Sequence, residues 1–416
     1  MLIMNSELIL LIILFVIAVN YLLDLFSGFL NYRSFNDEIP SNVRDIYNTD
    51  EYEKSQKYKK ENFKFNLFVS SYSFIILVSV LYAGYFGVLD STIRNYTLEN
   101  EISPSVLFFF SIYLINDILL LPFQFYRVFV IEQKYGFNTM SLKTFIIDKL
   151  KGYLLTVIVG LVIMVPLLIL ILLFPQSFWI YSWLLLSFFM IFLNMFYTSL
   201  IVPLFNKLTP IDDGDLKDSL NSYAKKVGFS LSNIFVINGS KRSNKANAFF
   251  TGFGKNKKIV LYDTLIKNHT VDELVAVLAH EVGHYKLRHV ISNLVISIVT
   301  TGFMLFLMSK FLFNSEVSYA LGGNVSFRHL EILAFFILYT PISRFINILV
   351  FIKSRKNEYE ADNFAISTFK KSPLVSALKK LSRDNLTNLT PHPLFEFINY
   401  SHPSLSKRLR SIELNS

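Results

Sequence analysis

Seven long apolar stretches, separated by polar segments, run through this chain of 416 residues. Each is long enough to cross the hydrocarbon core of a bilayer as an α-helix. The first is too long for a signal peptide and lacks a small-residue cleavage site. The pattern predicts a mainly α-helical membrane protein with seven spans, near Leu8–Phe26, Leu67–Leu89, Val106–Phe125, Tyr153–Phe174, Phe178–Phe205, Val290–Phe313 and Ile332–Ile352.

The polar segments suggest two domains. We expect residues 1–201 to form an N-terminal membrane domain with five spans, and residues 202–416 to form a second domain that includes spans six and seven. Between spans five and six the pattern predicts a small α/β unit. Its first elements are a helix Asp215–Val227, a strand Asn233–Ile237, and a hairpin of Ala248–Phe253 and Lys258–Tyr262 joined by residues 254–257. A capping box at Thr270–Glu273 then begins a helix that we expect to continue into span six.

Composition and charge agree with this topology. Only 17% of the residues are charged, against about 25% in soluble domains. Of the 40 Lys and Arg residues, 36 lie in alternate connections, which predicts an outside N-terminus and a cytoplasmic segment 202–289. The net charge of +9 therefore reflects topology, and we expect no nucleic-acid partner. Because the chain has no Cys, any metal must be held by His and carboxylates.

One motif carries chemistry: His280-Glu281-Val282-Gly283-His284, just before span six. Residues four apart share a helical face, so the two imidazoles can bind one metal ion. The glutamate between them can take a proton from a water that the metal activates. This H-E-x-x-H pattern is typical of zinc metallopeptidases.

A catalytic zinc needs a third protein ligand and one open position. His289 would lie on the opposite face of a continuous helix. Among the cytoplasmic acids, Glu358 follows span seven at the depth where His284 precedes span six. We expect Glu358 to be the ligand and Asp362, four residues on, to accept a hydrogen bond from a ligand imidazole. We expect Glu360 to point away as a solvated charge.

Two ionisable residues, Asp117 and Arg344, fall inside predicted spans, where a charge facing lipid costs several kcal/mol. They either pair with each other or line a water-filled cavity.

Several further segments stand out beside the H-E-x-x-H motif. They are Arg127–Glu132, Tyr135–Asn138, Ser243–Leu265, Glu358–Asp362, and Tyr400–Pro403 followed by Arg408. Together with His280–His284, these segments resemble the type I CAAX prenyl proteases, which are integral-membrane zinc metallopeptidases. Glu360 stands where that family usually has glutamine, which adds a charge without changing the ligand set.

The resemblance implies a helical barrel around a water-filled chamber, with one zinc per chain and the active site on the cytoplasmic side. It implies Glu358 as third ligand. The counterparts of His402 and Arg408 support the developing oxyanion, and the segment around Asn247 pairs with the substrate backbone as an edge strand. Taken alone, His402 would be interpreted as a helix-cap or core histidine.

Three functions follow from these residues. The first is a membrane-embedded zinc endopeptidase of the CAAX type, acting on a peptide or protein and surrounded by membrane lipids. The second is a quality-control protease of broad specificity. The third is a non-enzymatic channel or lipid-binding protein whose structural metal would need four protein ligands. The abundance of Ile, Asn, Lys and Phe favours a bacterial inner membrane over an endoplasmic reticulum.

Overall fold

The computed structural model describes residues 5–35, 38–39, 41–45, 47–97, 100–230, 234–252 and 257–415. Its N-terminal part is helical. One π-helical turn, Arg127–Glu132, extends the fourth helix. The helices are α1 (Ser6–Arg33), α2 (Thr49–Tyr82), α3 (Tyr85–Arg94), α4 (Ile102–Tyr126), α5 (Leu142–Leu173), α6 (Phe178–Leu200) and α7 (Val202–Phe205).

A small α/β unit follows. Its four strands lie in the order β1-β2-β4-β3, with β2 and β4 parallel and the other pairs antiparallel. β3 is an edge strand, and its outer side pairs with no strand in the part of the chain described. The elements are β1 (Leu208–Pro210), α8 (Asp215–Lys226), β2 (Ile234–Ile237), β3 (Ala248–Thr251), β4 (Lys258–Tyr262), α9 (Asp263–Asn268) and α10 (Val271–Lys286).

The predicted α/β elements are confirmed, with small shifts at their ends. Three parts of these predictions lie outside the described residues: Asn233, the first residue of one predicted strand, Phe253, the last residue of another, and residues 254–256 of the turn, so the predictions there are not tested. α10 forms the centre of this unit's core, because its buried apolar side chains pack against the sheet, α8 and α14.

The rest of the chain is again helical: α11 (His289–Phe311), α12 (Ser315–Ala320), α13 (Arg328–Thr368), α14 (Lys371–Asp384), α15 (Pro393–Asn399) and α16 (Leu405–Leu414). α13 is one continuous helix of 41 residues. At 1.5 Å per residue it is about 60 Å long, twice the thickness of the hydrocarbon core. Its C-terminal part therefore extends out of the membrane towards the α/β unit.

The predicted seven spans are confirmed. Seven helices of the described chain are long and apolar enough to cross a membrane: α1, α2, α4, α5, α6 with α7, α11 and α13. Only 6–11% of the residues in their most apolar windows are buried. Such low burial means that most of the surface of these helices is not covered by other parts of the protein. The predicted mainly α-helical fold class, with seven spans and a small α/β unit, is therefore correct.

Two boundaries differ from the predictions. The second span ends at Tyr82 instead of Leu89, because Gly84 adopts a left-handed conformation (φ 68°) that separates α2 from α3. The helix of the H-E-x-x-H motif does not continue into span six. It ends at Lys286, and Arg288 (φ 58°) redirects the chain before α11.

The intramembrane charges have other partners than expected. Arg344 pairs with Asp24 of α1. Asp117 accepts hydrogen bonds from the Lys149 ammonium, 2.7 Å away, and from the Tyr153 hydroxyl, 2.6 Å away. The alternative in which Asp117 and Arg344 pair with each other is therefore wrong.

A second polar network lies at the N-terminal end of α13. His329 is fully buried between Ser105 Oγ, 3.0 Å from its Nδ1, and Asp90 Oδ1, 2.9 Å from its Nε2. Arg94 binds the same carboxylate with two hydrogen bonds. Although these residue types form nucleophilic triads elsewhere, Ser105 has no exposed surface, and its hydroxyl donates to the Glu101 carbonyl. This network links α3, α4 and α13 and has no access for a substrate.

The pairing of Arg344 with Asp24 can be tested by exchanging charges. Arg344→Asp should lower the thermal midpoint of the detergent-purified protein, because two carboxylates would then face each other. Adding Asp24→Arg should restore most of the loss, with a coupling of about 1 kcal/mol, since Asp24 is more than half exposed. The control Asp117→Arg with Arg344→Asp should restore nothing. Equal midpoints for the two double variants would contradict the pairing.

Candidate active site

α10 positions the H-E-x-x-H motif. Its first turn is closed by the predicted capping box, in which the Thr270 hydroxyl accepts from the Glu273 amide and the Glu273 carboxylate accepts from the Thr270 amide. The Glu273 carboxylate also binds Lys380 at 2.8 Å, which fixes α10 to α14. His280 and His284 are then one turn apart on the same face.

α13 brings in the carboxylates. Gly283, inside the motif, faces Ala361, and a Cβ atom on the glycine would lie 3.2 Å from the Ala361 Cα. The two helices therefore touch backbone to backbone at this point. Because Glu358 lies one turn before Ala361, this contact places its carboxylate beside the two imidazoles.

Three ligand residues form a compact triangle. His280 Nε2 and His284 Nε2 are 3.1 Å apart. His280 Nε2 lies 3.5 Å from Glu358 Oε2, and His284 Nε2 lies 3.4 Å from the other oxygen of this carboxylate, Oε1. A tetrahedral ion with bonds of about 2.0–2.2 Å requires its ligand atoms to be about 3.3–3.5 Å apart. These residues therefore fit a metal ion with two nitrogen ligands and one oxygen ligand.

Behind the triangle, buried charges hold His280. Its Nδ1 lies 2.9 Å from Asp362 Oδ1. Arg408 of α16 binds both oxygens of Asp362, at 2.5 and 2.8 Å, and its Nη1 lies 3.4 Å from Glu358. Arg408 thus links the carboxylate of the ligand Glu358 to that of Asp362, which orients the His280 imidazole.

The electrostatics suit a cation. Burial lowers the pKa of His280, but its hydrogen bonds with Asp362 and Glu358 outweigh this and raise it to about 9. Near pH 7 and without metal, the His280 imidazole is therefore protonated on both nitrogens, and a cation bound at Nε2 would replace the proton there. Burial likewise opposes the charge of Arg408, yet the neighbouring carboxylates of Asp362 and Glu358 raise its pKa further, so it stays positive.

The imidazole of His284 is held by His289, a residue that we predicted to lie on the opposite face of the helix. His284 Nδ1 lies 3.0 Å from His289 Nδ1, and His289 Nε2 lies 3.0 Å from Glu360 Oε2. The prediction that His289 lies on the opposite face is wrong, because the break at Arg288 turns it back towards His284. The prediction that Glu360 is merely solvated is also wrong: 42% of its side chain is exposed, but its carboxylate accepts from His289.

This chain of contacts fixes a tautomer. If His284 presents Nε2 to a metal, its proton is on Nδ1 and is donated to His289 Nδ1. His289 then carries its own proton on Nε2 and donates it to Glu360. Each ligand imidazole is thus oriented by a carboxylate, directly by Asp362 in one case and through His289 in the other.

The triangle opens into a cavity of about 560 Å³. Glu281 lines it, and no hydrogen bond or ion pair involves this carboxylate in the described ranges. Asn247, next to the edge strand β3, lies on the cavity wall. His402 also lines the cavity, is 66% exposed, and places its Nδ1 2.9 Å from Glu358 Oε1. All the residues that the sequence singled out for the site are therefore together.

Comparisons with known proteins agree with this geometry. A family model described as the CAAX prenyl protease N-terminal, five membrane helices, matches residues 28–207, and that of peptidase family M48 matches residues 210–415. CAAX prenyl protease 1 homologs of Arabidopsis thaliana and Dictyostelium discoideum are each 34% identical, over 90% and 96% of both chains. The chain belongs to the CAAX prenyl protease family.

The fold matches as well as the sequence. The crystal structure of S. mikatae Ste24p is 30% identical and superimposes with a TM-score of 0.90 over 97% of this chain and 98% of that one. The resemblance stated from the sequence is therefore confirmed. The protein is a multi-pass membrane metalloprotease whose substrates are peptides or proteins, and the non-enzymatic alternative is not supported.

Two residues of the site in this CAAX-type protease, His289 and Glu360, were not predicted from the sequence. The role of His289 depends on the helix break at Arg288, where no glycine or proline signals a left-handed residue. Glu360 could be placed only once His289 was. Since a histidine recurs five residues after His284, this spacing was the one available signal.

The role of His289 generates a prediction for metal affinity. His289→Ala removes the acceptor for the Nδ1 proton of His284 and should raise the zinc dissociation constant about 10- to 100-fold. Glu360→Gln should have a smaller effect, because the amide oxygen can still accept. Competition with a chelator measures both.

His269→Ala is the matched control, since His269 is a buried histidine of the same unit that contacts a backbone carbonyl instead of a ligand. Equal weakening in the two alanine variants, or wild-type affinity in His289→Ala, would contradict the orienting role.

Proposed function

We propose that the protein is a zinc-dependent endopeptidase that hydrolyses peptide bonds near the cytoplasmic face of its membrane. The observation that carries this proposal is a triangle of three protein ligands beside an unengaged glutamate, open to a cavity. A closed structural site would instead surround the ion with four protein ligands. Two nitrogen ligands and one carboxylate are a set that catalytic zinc uses.

Each side chain then has a role. His280, His284 and Glu358 would hold the ion, which would supply Lewis acidity for the scissile carbonyl and the attacking water. Glu281, whose carboxylate makes no hydrogen bond or ion pair with the described residues, would take the proton of that water and pass it to the leaving amine. Asp362 holds the His280 ring in place through its Nδ1 proton.

His402 and Arg408 are proposed to stabilise the oxyanion. His402 is exposed to the cavity on the side of Glu358, where it can donate to a substrate oxygen. Arg408 is already bound to Asp362 through Nε and Nη2, so Nη1 is the donor that remains for the oxyanion. We propose that Arg408 contributes mainly by keeping Asp362 in place and a positive charge beside the carbonyl.

The substrate is proposed to bind as an added strand. The outer edge of β3, which pairs with no strand among the described residues, runs along the cavity that Asn247, Phe249 and Phe250 line. An extended peptide can pair with such an edge and hold its carbonyl next to the ligand triangle.

Orientation and compartment are also proposals. The alternation of basic loops supports an outside N-terminus and a cytoplasmic catalytic domain, residues 202–416, attached to the membrane domain of residues 1–201. Composition favours a bacterial inner membrane, whereas the relatives named above are from eukaryotes and support an endoplasmic-reticulum membrane. We favour the second. In either membrane the active site faces the cytoplasm.

The role of Glu281 is tested by Glu281→Gln. This variant should lose proteolysis by at least about 10²- to 10⁴-fold, because it removes the general base, while it retains one zinc per chain. Peptide hydrolysis and metal content of the same preparation measure the two quantities. Glu360→Gln, the same change two residues after the ligand Glu358 on α13, is the control, and it should remain active in protein that holds one zinc per chain, because the amide oxygen can still accept from His289. Full activity of Glu281→Gln would refute the mechanism.

Specificity is the second question. The family name favours a CAAX-type substrate, and the open cavity also suits a quality-control protease that cuts misfolded membrane proteins. Trapping substrates on inactive Glu281→Gln in cells and identifying them by mass spectrometry separates the two. A few proteins that share a C-terminal motif would support the first reading, and many unrelated membrane proteins would support the second.

A further inference from the structure

A cavity of about 610 Å³ lies against the N-terminal part of α2, apart from the active site. It shares no lining residue with the cavity of the ligand triangle. Cavities of about 300–1,000 Å³ are typical ligand sites, and the wall of this one has more lysines than acids. Its lysines, which we call the lysine cluster, are Lys54, Lys57, Lys60, Lys64 and Lys134.

The acids of this wall leave part of the positive charge without a partner. Glu53 and Glu61 each bind one lysine of the cluster, at 2.6 and 2.7 Å. The third acid, Asp50, lies in the first turn of α2. No carboxylate of the described residues pairs with Lys54 or Lys64, and both side chains are exposed. Since exposed ion pairs contribute little to stability, the paired lysines can also bind an added anion.

α2 presents its lysines on the side that faces away from the protein. Lys57 and Lys64 are about two turns apart and share one face of the helix. Tyr52 and Ser55 lie about half a turn from that face, on the opposite side, and are 1% and 0% exposed. Because the opposite side is covered by the rest of the protein, the lysine face is the outer face of α2.

The same outer face becomes apolar where α2 enters the membrane. Phe68 and Ile75 follow Lys64 on this face, and they are 62% and 60% exposed. On the opposite face of the span the exposed residues Asn66 and Ser70 are polar. In a membrane span, polar side chains face the protein interior or water, and apolar side chains face lipid. The lysine face therefore continues into the lipid-facing side of α2.

The depth of the lysines matches that of lipid headgroups. The apolar part of α2 begins at Leu67. Lys64 and Lys60 precede it by about one and two turns, so they lie about 5 and 10 Å outside the hydrocarbon core. The headgroup region of one leaflet is about 5–8 Å thick. Lys64 thus lies within this region and Lys60 at its outer border.

We propose that the lysine cluster binds the phosphate-bearing headgroup of an anionic phospholipid, whose acyl chains lie along Phe68 and Ile75. Anionic lipids are concentrated in the cytoplasmic leaflet, the side proposed above for this end of α2. A soluble phosphate would meet the lysines alone, whereas a lipid also uses the apolar part of the same face, so the ligand is a lipid. This lipid site is separate from the proposed peptidase chemistry and needs no zinc.

The test is a titration of the detergent-purified full chain with phosphatidylserine and with phosphatidylcholine of the same acyl chains, measured by native mass spectrometry. Phosphatidylserine should bind with a Kd at least about 30-fold lower. Lys60→Gln combined with Lys64→Gln should remove most of this preference, because each lysine near an anionic headgroup contributes about 5-fold in affinity. The Kd of phosphatidylcholine should not change.

Lys143→Gln combined with Lys225→Gln is the matched control. It removes the same charge from exposed positions of α5 and α8 outside this cavity, and it should keep the preference. A wild type without preference, or equal loss of preference in the two double variants, would overturn the lipid site. Glycerol phosphate that binds with the Kd of phosphatidylserine would also overturn it, because the ligand would then be a free phosphate.

Wild-type protein gives a second readout if the Lys60 and Lys64 variant does not fold. A phosphatidylserine with a photoreactive headgroup should crosslink within residues 54–64. Crosslinks confined to other parts of the chain would contradict the proposed position of the headgroup.

Discussion

The contact between Gly283 and Ala361 is the constraint on which the site depends. α10 carries both imidazoles and α13 carries both buried carboxylates, so the ligand set exists only where these helices touch. With hydrogen as its side chain, Gly283 lets the backbones meet, since a Cβ there would lie 3.2 Å from both the Ala361 Cα and the Phe364 Cβ. A wider spacing would separate Glu358 from the imidazoles and leave His280 without its partner Asp362.

The charges behind the ligands form one connected set. Asp362 and Glu358 are both nearly fully buried, and isolated carboxylates in such positions would be costly. Arg408 contacts both, so α16 at the end of the chain completes a site that begins on α10. The second histidine ligand, His284, has no direct contact with an orienting carboxylate, because His289 lies between it and Glu360. The orientation of the metal ligands therefore depends on four elements, α10, α11, α13 and α16.

Much of this arrangement could be predicted from the sequence, for physical reasons. Seven apolar stretches and the alternation of basic loops follow from the energetics of the bilayer, and both are visible in the positions of apolar and basic residues along the chain. Glu358 could be placed because two antiparallel helices that leave a membrane share a depth. The capping box at Thr270 predicted where α10 begins, since its two side chains satisfy backbone groups within one turn.

The features that could not be predicted from the sequence depend on backbone conformations and helix neighbours that no residue type indicates. Arg288 takes a left-handed conformation that arginine rarely adopts, and this single residue reverses the position of His289. The partners of Asp117 and Arg344 depend on which helices are neighbours, and hydropathy carries no information on that order.

The central claim is that one zinc ion is held by two imidazoles and one carboxylate with a position left open. X-ray absorption at the zinc edge, on protein reconstituted with one equivalent of metal, tests this most directly. The account predicts one zinc per chain with two imidazole ligands and two oxygen ligands, one from Glu358 and one from solvent, at about 2.0–2.2 Å. Four protein ligands, or failure to retain zinc, would contradict it.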